Sequence, residues 1–68
     1  MNSETTQKFL TVRDVAERYS LGVSTVWQKT GSGEIPSPVQ LTARTTRWRL
    51  SDLVAWESTR PLITENRN

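Results

Sequence analysis

The sequence predicts a mainly α domain with one small β-hairpin, in the order helix, turn, helix, hairpin, helix. Three observations predict it. Two short amphipathic segments between Thr11 and Lys29 are separated by a glycine-containing break. A proline-bounded stretch from Ile35 leads into two short alternating runs. Ser51 then opens a third helical segment, which Arg60-Pro61 closes. At 68 residues the chain makes one domain with a core small enough to need efficient packing. The expected division is a flexible tail over 1–8, the domain over 9–60 and a second flexible tail over 61–68.

Phe9 and Leu10 start the fold, and Thr11 reads as an N-cap with Asp14 as the capping-box acid. Leu10 and Val15 have the spacing of a hydrophobic staple. Val12, Val15, Ala16 and Tyr19 share one arc of this helix; Arg13, Asp14, Glu17 and Arg18 share the other. Ser20-Leu21-Gly22 breaks it, and Gly22 is the N-cap of the next helix, with Leu21 and Val26 repeating the staple. There Val23, Val26, Trp27 and Thr30 are expected to face the core, with Ser24, Thr25, Gln28 and Lys29 outward. Gly31-Ser32-Gly33 ends it, since glycine tolerates the left-handed conformation.

The prolines of Ile35-Pro36-Ser37-Pro38 force extended geometry on their predecessors. Val39-Gln40-Leu41 and Arg47-Trp48-Arg49-Leu50 alternate as strands do. Pairing them places Val39, Leu41, Trp48 and Leu50 inward and Gln40, Arg47 and Arg49 outward. The link Thr42–Thr46 lacks the glycine of a tight hairpin turn. Ser51 is expected to cap the last helix, with Asp52 favouring its dipole and Leu53, Val54 and Trp56 supplying apolar surface. The complete order is that of a compact winged helix-turn-helix.

Composition narrows the function. There is no cysteine and no histidine, which argues against disulfides, zinc sites and histidine acid–base chemistry. Seven carboxylates form no recognisable catalytic constellation, and Gly31-Ser32-Gly33 follows a helix where a phosphate loop would open one. An enzyme is not expected, nor a cofactor, a metal or a small-molecule substrate. No apolar run approaches a membrane span, and the first residues have no apolar signal-peptide core, so the expected location is the bacterial cytoplasm and its nucleoid. The net charge is +2 and the pI about 9.7. Between residues 40 and 50 the chain carries Arg44, Arg47 and Arg49 and no acid.

Four motifs carry a family resemblance. They are Leu21-Gly22-Val23-Ser24-Thr25-Val26-Trp27, Gly33-Glu34-Ile35-Pro36-Ser37-Pro38-Val39, the pair Arg44 and Trp48, and Ser51-Asp52-Leu53-Val54-Ala55-Trp56. In this order the chain resembles the AlpA-like regulators and excisionases of prophages and integrative elements, relatives of the MerR-type DNA-binding domain, over roughly residues 9–59. The resemblance implies that these motifs begin the recognition helix, lead into the wing, form the wing and close the fold. Gly22, Lys29, Ile35 and Thr42 depart from the family pattern, Thr42 standing where a wing glycine is common.

The expected partner is double-stranded DNA, read by Ser24, Thr25, Gln28 and Lys29 on the second helix and by Arg44, Arg47 and Arg49 on the wing. The competing reading of the helix residues is an ordinary solvated face. For the arginines it is charge protection of an edge strand, strongest for Arg49, so Arg44 and Arg47 rank first. Gln28 suits an adenine edge or a phosphate; Ser24 and Thr25, near a helix N-terminus, suit a phosphate, as does Lys29. Trp27, Trp48, Trp56 and Tyr19 are assigned to the core, Trp27 with a groove contact as its second role. Asp14 and Glu17 read as a solvated face or as partners of Arg13 and Arg18. Further partners are an integrase or recombinase, or more copies of the chain on adjacent sites. The alternative function is a protein-interaction module on the same scaffold, using the Asp14/Glu17 face or the apolar residues near Ile63.

Overall fold

A computed structural model describes residues 8–63. The expected tail residues 1–7 and 64–68 lie outside it. The elements are β1 (Phe9–Leu10), α1 (Val12–Tyr19), α2 (Val23–Gly31), β2 (Val39–Thr42), β3 (Thr45–Arg49) and α3 (Leu50–Ser58). The three strands form one antiparallel sheet in the order β1-β3-β2. The core is Val15 and Ala16 of α1, Val26 of α2, Ile35, Trp48 of β3 and Leu53 of α3, bordered by Leu10, Val12, Tyr19, Leu21 and Trp56.

Both ends of α1 are built as its residues predict. Thr11 N donates to Asp14 Oδ2 at 3.0 Å, and Asp14 N donates to Thr11 Oγ1 at 3.1 Å, a complete capping box. Its C-terminus closes with Ser20 in the left-handed region (φ 56°), Ser20 N donating to Glu17 O and Leu21 N to Ala16 O at 2.8 Å. This is a Schellman motif with serine in the position glycine prefers. α2 ends in the same motif. Gly33 has φ 90° and donates to Thr30 O, while Glu34 N donates to Lys29 O. Of the three residues expected to stop this helix, Gly33 supplies the left-handed turn; Gly31 is still helical and Ser32 is right-handed.

The sheet corrects several expectations. β1 has no strand signal in the sequence. Two residues have no periodicity, and they are extended here because Leu10 pairs with Trp48 and Phe9 with Arg49. Leu50 leaves the sheet and opens α3, whose N-cap is Arg49 rather than Ser51; Leu50 N donates to Lys8 O at 2.9 Å. Val39 pairs with Arg47, so it lies on the sheet face opposite Trp48 instead of beside it. Leu41 is the extra residue of a bulge between Gln40 and Thr42 and is 47% exposed, not inward. Ile35 is the missed core residue, 2% exposed. A single apolar residue between Glu34 and Pro36 carries no pattern, and it reaches the core because its N–H is tied to Lys29 O at 3.2 Å.

Candidate nucleic-acid interface

α2 turns a different face outward from the one its apolar pattern suggests. Val23, Ser24, Trp27 and Gln28 are exposed, whereas Thr25, Lys29 and Thr30 are partly buried and Val26 is fully buried. The exposed arc is the predicted one displaced by one residue, about 100° around the helix. Trp27 moves from the expected core to the middle of the exposed arc, at 45% exposure. Three apolar residues, Val23, Val26 and Trp27, spread over about 100° leave the phase of so short a helix loosely set. The core settles it by taking Val26 together with Ile35 and Leu53.

Trp27 also joins this helix to the hairpin. Its ring lies 5.2 Å from that of Trp48, tilted by 51°. Trp48 is 1% exposed, and its indole N–H donates to Pro36 O at 2.8 Å. Along β3 side chains alternate, so Thr46 shares the face of Trp48, and Gln40, paired with Thr46, shares it too. The exposed arc of α2 therefore adjoins the Trp48 side of the hairpin. The alternation in the sequence places Gln40 outward with Arg47 and Arg49 and gives Thr46 no side; the pairing register instead puts both on the Trp48 face.

The hairpin turns through Ala43 and Arg44, neither with positive φ. Thr42 does the work expected of a glycine by another route. Its hydroxyl accepts from Arg44 N at 3.2 Å and lies 2.8 Å from Thr45 Oγ1, while Gln40 Nε2 donates to Ala43 O at 3.1 Å. These side-chain bonds and the Leu41 bulge close the tip without left-handed backbone.

The charges divide by partner. Arg49 pairs with Asp52 at 3.1 Å. Lys29 pairs with Glu34 at 3.2 Å. Arg47 donates to Thr46 O at 2.8 Å, lies on the face opposite Trp48, and helps hold Asp14 below its ordinary carboxylate value, an effect led by the hydrogen bonds from Thr11. The acid-free run of the sequence is thus not acid-free in space. Arg44, exposed at the tip, has no side-chain partner among the described residues. Ser24 and Gln28 are exposed on α2, with Thr25 and Lys29 on its half-buried flank.

α1 and α3 are latched together. Arg18 donates to both carboxylate oxygens of Glu57, at 2.6 and 2.8 Å, and the Tyr19 hydroxyl donates to the same carboxylate. The Arg18 guanidinium and then Tyr19 hold Glu57 below the usual carboxylate range. Burial, then the hydrogen bond to Glu57, pushes Tyr19 up to about 12. Tyr19 packs edge-on against Trp56 at 5.6 Å, which in turn carries Arg60. Arg18 therefore pairs across the fold; of the two readings of the Asp14/Glu17 face, local pairing with Arg18 does not occur, Glu17 is exposed and Asp14 serves the cap.

Among the described residues no group of histidine, cysteine or carboxylate side chains is arranged to hold a metal ion, and no helix is long and apolar enough to cross a membrane. A family model described as a helix-turn-helix domain matches residues 9–61. No curated protein and no solved structure matches the chain.

Proposed function

This chain belongs to the helix-turn-helix domain family, and from that premise we propose that it is a sequence-specific binder of double-stranded DNA of the phage or mobile-element type. In this reading α2 enters the major groove and the hairpin lies over the neighbouring backbone or minor groove. The carrying observation is the exposed arc of α2 adjoining a hairpin whose tip holds Arg44, which has no side-chain partner among the described residues. Ser24 and Gln28 are the base-edge and phosphate contacts of the helix, with Thr25 and Lys29 on its flank. Arg44 is the leading phosphate contact of the wing; Arg47, on the face opposite Trp48 and bonded to Thr46 O, and Arg49, shared with Asp52, rank behind it.

One domain of this size buries little DNA surface. Useful affinity then comes from several copies on repeated sites, or from a recombinase bound beside it. The biological role is a small transcriptional regulator, an excisionase that shapes attachment-site DNA for an integrase, or both, as AlpA-like proteins combine them.

The test is binding to labelled duplexes across a salt series, followed by footprinting on the DNA flanking the coding region. DNA binding predicts affinity that falls steeply as salt rises. Arg44→Ala should reduce the slope of log affinity against log salt by about 0.9. Protection over a promoter indicates regulation, and protection over an attachment site indicates excision. Absence of any salt-sensitive duplex binding rules the reading out and favours the protein-interaction module.

A further inference from the structure

We propose that Trp27 sets sequence specificity at this interface, its exposed indole meeting thymine C5-methyl groups in the major groove. The inference rests on the DNA-binding reading and adds the chemistry of what α2 recognises.

Three observations carry it. Trp27 occupies the middle of the exposed arc, between Val23 and Ser24 on the preceding turn and Gln28 beside it. At 45% exposure, a large apolar ring faces out of a domain whose core is otherwise formed by few side chains. The ring is not loose, because it leans on Trp48 at 5.2 Å, and Trp48 is itself buried and anchored to Pro36 O. An aromatic group backed by a fixed partner loses little freedom when it meets a ligand.

The ligand chemistry follows from what the major groove displays. Its apolar feature is the thymine methyl group, and apolar side chains on a recognition helix meet that group. An indole has no hydrogen-bond acceptor, so it cannot pair with the exposed amino groups of adenine or cytosine. Gln28, the next residue, suits an adenine edge. Together they predict a site in which a thymine lies beside an adenine read by Gln28.

The test uses the full chain. A binding site is first selected from a random-sequence duplex pool. Each thymine of that site is then replaced in turn by deoxyuridine, which removes only the methyl group. At one or two positions the wild-type protein should bind about four-fold more weakly, the effect of losing one buried methyl-sized group. In Trp27→Ala that penalty should vanish, with folding checked by circular dichroism. The wild-type scan needs no variant to fold, and an absence of any deoxyuridine effect overturns the inference. So does a penalty that persists unchanged in a folded Trp27→Ala. A sensitivity confined to 7-deazapurines overturns it as well, since purine N7 is then what α2 reads. If the pool yields no preferred sequence at all, the DNA-reading premise has failed before any base is altered, and the two failures are distinguished.

Discussion

α1 and α2 follow each other in the chain and are nearly equal in length, yet the fold treats them oppositely. α1 is satisfied from within. Its N-terminus is closed by the Thr11–Asp14 capping box, and its last turn is fastened to α3 through Arg18, Tyr19 and Glu57. α2 has Gly22 as a cap, which offers no side chain to its first N–H groups, and it turns Val23 and Trp27 outward. Among the described residues its buried Thr30 hydroxyl has no hydrogen-bond partner. The difference teaches that the two helices of the motif have separate tasks. In the proposed reading one is a strut tied into the fold at both ends, and the other presents exposed polar and apolar surface to DNA.

The largest expected effect removes the element on which both tasks depend. Trp48→Ala opens a core cavity, strips the backing from Trp27 and leaves Pro36 O without its donor. A loss of about 3–5 kcal/mol is expected, enough to unfold so small a domain. An unchanged thermal midpoint by circular dichroism would mean that the core does not depend on this ring.

Next comes a pair of changes that should separate the helices. Gln28→Ala is expected to weaken a selected duplex by about 1–3 kcal/mol and random duplexes far less, with no change in thermal midpoint. Glu57→Gln should do the converse. It lowers stability by roughly 1 kcal/mol, a modest value because the ion pair is partly solvated, while leaving DNA affinity intact in the folded protein. Anisotropy titrations and melts of the same two proteins decide the matter. If both variants lose both properties, the division of labour does not exist.

The latch also predicts how stability follows pH. The carboxyl of Glu57 is lowered in the folded state, so its contribution is present above the ordinary value of 4.5 and is lost as pH falls through the lower folded value. Tyr19 is raised from 10.0 to about 12, so its contribution is complete below 10.0 and disappears as pH rises through about 12. Denaturant melts of Glu57→Gln should show a flatter acid limb than the wild type. An identical acid limb would assign acid sensitivity to other groups.

The smallest expected effect concerns the joint between the helices. Ser20 holds a left-handed conformation that glycine adopts at no steric cost, so Ser20→Gly should stabilise the domain by about 0.5–1 kcal/mol. A lower midpoint would mean that the added freedom of the unfolded chain outweighs the relieved strain.

The residues alone name the order of the three helices and the hairpin, the stops of α1 and α2, the Thr11–Asp14 cap and the core roles of Val15, Val26, Trp48 and Leu53. These are local or strongly periodic features, in which each residue's own chemistry names its place. Tertiary structure alone decided β1, the Leu41 bulge, the burial of Ile35, the partner of Arg18 and the outward face of α2. Each depends on pairing register or on packing between elements, and none is encoded in a repeating pattern. In a helix of little more than two turns, one residue of phase separates a buried Trp27 from an exposed one. Only the neighbours that Val26 found in the core selected between them.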